Sequence, residues 1–287
     1  MRNFTRSALA AAALIAFTSP AHALTAFVLP QDFTPDEGPV AVQAGYASTF
    51  FTPSVGLEPS GFFALAPDGS RAPYAGARIE GNAAVVEFPM YSRGTFRISS
   101  GEVLGQPTQM VGVDGSWRAL GAGETPPEGA PVSTLQTVTL AESFVTNGRP
   151  NDDVLDDRTG RLNLQPITHP NRISVADGFN VQLNFDGAAF PNMPLVLYAA
   201  NDPDTDIETT FVTGADGRAL VRFPGAGQYV IAIRHRGNAP AGAAAQVQSF
   251  TTTLTVEVFD TLPPLPEVEE ESPRRRTRPA RDPRSRL

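Results

Sequence analysis

Two stretches that lie far apart in this chain repeat the same pattern. Residues 80–89 read EGNAAVVEFP and residues 215–224 read ADGRALVRFP, and a glycine-led strand pattern follows each, GTFRI at 94–98 and GQYVI at 227–231. The separation is much wider than the roughly 20–50 residues that repeat in a solenoid. The repeat therefore predicts two tandem domains of one β-sandwich type.

The rest of the chain also reads as strands and tight turns. Apolar and polar residues alternate at 253–258, which predicts a strand with one apolar and one polar face. The Asp-Gly pair at 114–115 separates two strand patterns and predicts a hairpin, because both residue types tolerate positive φ. The Asp-Gly pair at 216–217 predicts a second such connection. No amphipathic helix pattern occurs, so the sequence indicates an all-β chain of two tandem antiparallel sandwiches, immunoglobulin-like or transthyretin-like.

The first 23 residues have the pattern of an export signal. Arg2 and Arg6 precede an apolar core from Ala8 to Phe17, and the small residues before Leu24 fit a signal peptidase site. The apolar core is shorter than the ~20 residues that span a bilayer, and no other stretch reaches that length. We expect cleavage after Ala23, a mature chain without a transmembrane segment, and a periplasmic location.

Cysteine usage and charge restrict the possible partners. The chain has no cysteine, which excludes disulfides, thiolate metal sites and a lipid-modified amino-terminal cysteine. Its formal net charge is −8, and an acidic body disfavours nucleic acid, because phosphates require a basic surface. Basic charge gathers at the end, with seven arginines between 274 and 286. That end either binds an unknown envelope protein or anionic envelope component, or is a solvated tail without a target.

Shifts in composition divide the chain into segments. We predict a signal peptide at 1–23, a first sandwich at 24–146, a polar junction at 147–160 and a second sandwich at 161–260. Residues 261–287 become proline-rich, then acidic, then arginine-rich, with too little apolar area to offset the entropy of ordering. The sequence therefore predicts a disordered tail.

Several segments resemble a known family of exported bacterial proteins. The segments are FVLPQDF at 27–33, FFTPSV at 50–55, VGVDGSWRAL at 111–120, ESFVTNGRPND at 142–152, LQPITHPNRISVADGF at 164–179 and GQYVIAIRHRG at 227–237. Together they resemble domain-of-unknown-function family 4198, whose members are often labelled periplasmic components of a nickel or cobalt uptake system. The second sandwich is also similar to transthyretin-like and carboxypeptidase-regulatory-like domains. The resemblance implies a β-sandwich fold and an accessory role in divalent-metal uptake.

Two histidines, His169 and His235, are the candidate transition-metal ligands of the mature chain. Many family members look as though they begin with a histidine after the signal, which would chelate copper or nickel, but here Leu24 takes that place. His169 either ligates a metal or relays a proton, or it caps the turn that opens the second sandwich, and Pro170 restricts it to extended backbone. His235 either ligates a metal or packs as a partly buried histidine at the end of a strand.

Three aspartates at alternate positions, Asp202, Asp204 and Asp206, form the candidate site for calcium or another weakly bound divalent metal. Carboxylate oxygens at this spacing suit a hard cation. An EF-hand loop that begins at Asp202 is excluded, because it would need glycine and glutamate where Ile207 and Thr213 stand. The alternative is a solvated loop between strands.

No catalytic motif is present in the sequence. It contains no Gly-x-Ser-x-Gly pattern and neither cysteine nor lysine to act as a nucleophile. We therefore expect no catalytic residue and no cofactor beyond a weakly bound divalent metal. The sequence favours an exported, non-enzymatic binding or accessory module of the cell envelope. The alternatives are a structural or interaction protein tethered by its arginine-rich tail, and a hydrolase that uses paired carboxylates.

Overall fold

The computed structural model describes residues 24–35 and 38–266. The expected signal peptide at 1–23 lies outside the described residues, and so does the tail from residue 267 onward. Within the described ranges the regular elements are β-strands, apart from one 3-10 turn at Pro59–Gly61. The prediction of an all-β chain is confirmed. The same ranges contain no helix that is long and apolar enough to cross a membrane.

Twelve strands precede residue 148 and form what we call the first half, and nine follow residue 161 and form the second half. Those of the first half are β1 (Thr25–Pro30), β2 (Gly38–Ala47), β3 (Val55–Gly56), β4 (Phe63–Leu65), β5 (Arg71–Pro73), β6 (Gly76–Glu80), β7 (Ala83–Met90), β8 (Gly94–Ser99), β9 (Val103–Leu104), β10 (Thr108–Val113), β11 (Ser116–Ala119) and β12 (Val132–Asn147). Those of the second half are β13 (Leu162–Pro166), β14 (Ile173–Ser174), β15 (Phe179–Phe185), β16 (Ala188–Ala189), β17 (Pro194–Ala199), β18 (Thr210–Val212), β19 (Arg218–Val221), β20 (Gly227–Asn238) and β21 (Val247–Phe259).

The two halves share one central sheet. Its order is β18-β17-β20-β21-β12-β8-β4-β5, so the second half contributes one side and the first half the other. The halves meet where β12 pairs with β21 in parallel, from Leu135 opposite Val247 to Ser143 opposite Thr255. Each half adds its own small sheet, β1-β2-β7-β6 in the first and β13-β15-β16 with β19 in the second. The antiparallel sandwiches expected from sequence are thus fused through a parallel pair.

The sequence repeat corresponds to a repeat of strand pairing. In the first half β7 pairs with β2, and β8 lies between β4 and β12; in the second half β19 pairs with β15, and β20 lies between β17 and β21. The repeated phenylalanines, Phe88 and Phe223, are both buried. The copies differ at their ends, because β7 continues to Met90 whereas β19 stops at Val221. The strand pairing agrees with the predicted repeat, whereas superposition of the two copies stays a prediction.

The central sheet is covered on both faces, and each face belongs to a different core. Successive residues of a strand point to opposite faces, so β12 places Phe144 in the core of the second half and Val145 in that of the first. Thr253 and Thr255 lie on the polar face predicted for β21, and each is only 1% exposed. This polar face is buried because β1 packs against the strand; Thr253 Oγ1 donates a hydrogen bond to the Ala26 carbonyl of β1.

The two Asp-Gly turns behave differently. At Asp114-Gly115 both residues have positive φ, 50° and 75°, and β10 pairs with β11, which confirms the hairpin. The turn at Asp216-Gly217 joins β18 to β19, as predicted, but these strands lie in different sheets and do not form a hairpin. The turn carries the chain from the central sheet across to the small sheet of the second half.

The polar stretch between β12 and β13, residues 148–161, is attached to the central sheet by a buried ion pair. Arg97 of β8 and Glu142 of β12 are 0% and 1% exposed in their side chains, and Arg97 Nη2 lies 2.5 Å from Glu142 Oε2. The second terminal nitrogen of Arg97 donates to the Asp157 carbonyl, and the Thr159 hydroxyl donates to Glu142. The ion pair therefore holds residues 157–159 against both strands.

Candidate functional site

His169 lies in a ring of hydrogen bonds between the two halves. Its Nε2 is 2.9 Å from Thr95 Oγ1, and Thr95 Oγ1 is 3.1 Å from Thr146 Oγ1. Thr146 Oγ1 donates to Asn171 Oδ1 over 2.7 Å, and the Asn171 backbone N–H donates to His169 Nδ1 over 3.1 Å. Because Nδ1 accepts, the ring proton is on Nε2, so His169, Thr95 and Thr146 can each donate to the next side chain, and the Asn171 backbone N–H closes the ring.

The ring requires a neutral histidine. A second proton on His169 Nδ1 would face the N–H of Asn171, which already donates to that nitrogen. Burial is the main cause that lowers the pKa of His169, and nearby Asp152 opposes it. The Asn151 carbonyl also lies 3.2 Å from Nε2. A metal at His169 would have to displace the Asn171 N–H from Nδ1, or Thr95 and this carbonyl from Nε2, so the role of this residue as a ligand stays a prediction.

His235 lies in an aromatic cluster at the end of β20. The ring centroids of Phe185 and Phe190 are each 4.8 Å from that of His235, and Phe250 stacks at 6.5 Å. Burial is again the main cause that lowers its pKa, and the positive charge of Arg161 adds to the effect. The surroundings are those of a histidine packed among apolar rings, and it shares no hydrogen-bond partner with His169 among the bonds of the described residues.

The three aspartates turn towards different partners. Asp202 Oδ2 accepts the Ala199 N–H over 2.7 Å, and Asp206 Oδ1 accepts the Glu208 N–H over 3.1 Å. Asp204 is 8% exposed, and its Oδ2 accepts from the Thr25 hydroxyl of β1 over 3.3 Å. The loop also hydrogen bonds through its backbone to residues 48–50 of the first half. The described residues contain no group of three or more histidine and acidic side chains placed to hold a metal ion.

A pocket of about 530 Å³ lies where the two halves meet, and the sequence analysis did not predict it. We call it the junction pocket. Its lining comes from the loop after β1, the turn before β8, the end of β12, the loop before β14 and the chain after β21. The lining residues are Thr34, Pro35, Arg93, Thr146, Asn147, Gly148, Pro150, Asn171, Arg172, Pro263, Pro264, Leu265 and Pro266.

The floor of the junction pocket is built from buried polar side chains that bind one another. Thr146, Asn147 and Asn171 are 1%, 2% and 3% exposed. Asn171 Nδ2 donates to the carbonyls of Phe144 and Phe33, and Asn147 Nδ2 donates to that of Met90 over 3.1 Å. Since their hydrogen-bonding groups are satisfied within the protein, these residues fix the shape of the pocket and leave its chemistry to other side chains.

Arginine supplies the charge of the junction pocket. Arg93 and Arg172 line it, and the lining contains no aspartate or glutamate among the described residues. Gly148 lies beside Arg93 with a φ of +76°, and a Cβ at that position would lie 3.0 Å from Arg93 Nη1, so glycine is needed there. Arg172 Nη1 donates to the Pro263 carbonyl. Guanidinium groups over a satisfied polar floor suit carboxylate or another anion, and disfavour a divalent cation.

A second groove, of about 570 Å³, bears on the hydrolase alternative. Two carboxylates line it, Asp152 and Asp156, together with Arg158 and Arg218. Asp156 Oδ1 accepts a hydrogen bond from Gln165 Nε2 over 2.7 Å. Both signs of charge are mixed along this groove, in contrast to the junction pocket.

The sequence segments that resemble the family could have indicated where the junction pocket lies. Three of these segments, at 27–33, 142–152 and 164–179, meet at this place: the Phe33 carbonyl accepts hydrogen bonds from the Thr146 N–H and from Asn171 Nδ2. Sequence reasoning treated these segments separately, because nothing in strand alternation shows that they converge.

Comparison with known proteins gives one family. No curated protein matches the chain. Among solved structures, the D00-D0 domain of Intimin matches with 12% sequence identity over 82% of this chain and 100% of that chain, at a TM-score of 0.18. The profile of the family described as Domain of unknown function (DUF4198) matches residues 20–237, which include the first half, most of the second half up to β20, and every lining residue of the junction pocket before residue 263. The chain therefore belongs to this family of domains of unknown function.

Proposed function

We propose that the protein is an exported, non-enzymatic binding module of the cell envelope, and that its partner binds at the junction pocket. The observation that supports this most is the contrast between the pocket's floor and its charge. The buried side chains of the floor are satisfied by one another, whereas Arg93 and Arg172 give the lining a positive charge. A rigid cationic recess suits recognition of an anionic group.

The fused architecture supports binding rather than a hinged mechanism. The parallel pair of β12 and β21 runs over nine residue pairs, and both strands carry buried residues on their two faces. Closure of one half over the other would break this pairing. The pocket is thus preformed, and a partner would meet little ordering cost there.

The metal-uptake version of the proposal is an accessory role. Only the sequence resemblance suggests it, while the cationic lining favours an anionic partner surface over a bound divalent cation. In this version the protein contacts the uptake machinery at the junction pocket. The tethering alternative depends on the arginine-rich tail, and the hydrolase alternative would use the groove that holds Asp152 and Asp156.

The experiment is site-specific photo-crosslinking in intact cells of the source organism. A photoreactive residue replaces Pro150, which lines the junction pocket, and the matched control replaces Val212, which is 62% exposed on the far edge strand β18. We expect a crosslinked envelope partner from position 150 and none from position 212, with the mature protein in the periplasmic fraction and its amino terminus at Leu24. Equal crosslinking at both positions, or a cytoplasmic full-length protein, would contradict the proposal.

Two further variants separate the alternatives. If the tail tethers the protein, replacement of its seven arginines by glutamine releases it from the envelope fraction while crosslinking from position 150 is unchanged in pattern. If the protein is a hydrolase, a turnover reaction would be lost on replacement of Asp152 and Asp156 by asparagine, and the crosslink at position 150 would be unaffected.

A further inference from the structure

The described chain ends inside the junction pocket. After β21 the residues Pro263–Pro266 run along one wall of the pocket, and Arg172 holds their start through the Pro263 carbonyl. Proline favours extended backbone with about 3.1 Å of rise per residue, so the chain leaves the pocket in a stiff, extended form. The last described residue, Pro266, therefore lies in the same lining as Arg93 and Arg172.

The next residues carry the complementary charge. Four of the five positions at 267–271 are glutamate, in the sequence EVEEE, and they follow Pro266 directly. An extended chain covers at most ~3.6 Å per residue, so chain length limits the Cα atom of Glu271 to within roughly 18 Å of that of Pro266. The described lining of the pocket offers two guanidinium groups and no carboxylate.

We propose that the junction pocket is a carboxylate-binding site whose occupant in the free protein is the chain's own acidic segment at 267–271. The inference rests on the proposed use of this pocket for binding and names the class of ligand, an extended acidic peptide. The attachment separates the two charges of the tail: the glutamates bind the body, and the arginines at 274–286 stay available to an anionic partner. It also makes the acidic segment a competitor for any external acidic peptide.

The balance of energies favours an occupant that can be displaced. A segment tethered this closely has an effective concentration in the millimolar range, which compensates for weak individual contacts. Exposed arginine–carboxylate pairs contribute little each, so the docked and undocked forms differ by about fivefold in population, or ~1 kcal/mol. A partner with several carboxylates would therefore compete successfully.

The test measures the distance between two spin labels in the full mature chain. Because the chain has no cysteine, Ser92→Cys and Ser272→Cys give two unique labelling sites, one beside Arg93 and one just after the acidic segment. We expect a narrow distance distribution at low salt. Replacement of Glu267, Glu269, Glu270 and Glu271 by glutamine broadens it, as does 1 M salt, where charges are screened beyond ~3 Å. The pocket variant Arg93→Gln with Arg172→Gln broadens it in the same way.

The matched control is Asp36→Asn with Glu37→Gln, which removes the two carboxylates that follow Pro35 in sequence. We expect this control to keep the narrow distribution. Three results would each overturn the proposal. They are a broad distance distribution with the native acidic segment, a distribution that does not change after the four glutamine substitutions, and a narrow distribution that only the control broadens. The four tail substitutions decide the matter if the arginine variant does not fold. If the label distances are broad but crosslinking from position 150 persists, the acidic segment does not occupy the pocket, and the proposal of a binding module still holds.

Discussion

Removal of the buried arginine at the centre of the molecule should destabilise the protein strongly. Arg97 and Glu142 are almost completely excluded from solvent, and Arg97 makes two side-chain hydrogen bonds to Glu142, at 3.1 and 2.5 Å. In Arg97→Met the Glu142 carboxylate would keep only the hydroxyl of Thr159 among these partners. Loss of one member of a buried pair costs about 3–5 kcal/mol, because the remaining charge stays buried without its counterion.

The magnitude translates into a measurable melting shift. For a body of this size 1 kcal/mol corresponds to about 2–4 °C, so Arg97→Met should lower Tm by roughly 10 °C. The double variant Arg97→Met with Glu142→Leu removes the orphaned charge and should recover at least ~2 kcal/mol of the loss. Urea unfolding followed by circular dichroism measures both values.

Arg218→Met serves as the matched control, since this arginine is 63% exposed in its side chain and should change the unfolding free energy by less than about 0.5 kcal/mol. The reasoning would be refuted if Arg97→Met cost less than ~1 kcal/mol. It would also be refuted if the double variant were as unstable as the single one, because the cost would then come from lost packing.

Three further predictions concern the cores, the histidine ring and metal. Phe88→Ala and Phe223→Ala should each lower the free energy of unfolding by about 3–5 kcal/mol in urea titrations, because the two rings are 0% and 6% exposed; a small loss at either position would contradict its place in the core. Burial lowers the pKa of His169 below its ordinary value of ~6.5, so the unfolded state binds more protons than the folded state. Stability should therefore fall as the pH drops from ~6.5 towards the folded pKa. Melting curves should show a smaller loss of stability over this pH range in His169→Gln than in the native protein, with His235→Gln as the comparison. Calorimetry on tag-free mature protein should show nickel or cobalt binding no tighter than about 10 μM, and a submicromolar site abolished by His169→Ala or His235→Ala would reverse this reading.

The candidate site was only partly accessible from sequence. His169 was recognised as a residue of special chemistry, and a turn-capping role was weighed against a metal-binding one. Its hydrogen bonds join it to Thr95 and Asn171, which come from opposite sides of the boundary between the halves. Arg93 and Arg172 were not singled out, because a lone arginine in a loop carries no pattern that distinguishes it from a solvated charge.

The sequence by itself determined the local structure. Alternation, Asp-Gly turns and the repeated Phe-Pro segments are signals of short range, and they were sufficient for the all-β class, the hairpin at 114–115 and the buried positions of Phe88 and Phe223. These signals work because each depends only on neighbouring residues and on which side chains can be solvated.

Only the tertiary structure decided how the strands were joined. Alternation divides the residues of a strand between two faces, but it does not state which strand lies alongside or whether a second layer covers the polar face. Thr253 and Thr255 illustrate this, because the first half covers their face of β21 and leaves each only 1% exposed, although of the two hydroxyls only that of Thr253 has a hydrogen-bond partner among the described residues. The junction pocket follows from the same long-range pairing, because it exists only where segments distant in sequence are brought to one end of the shared sheet.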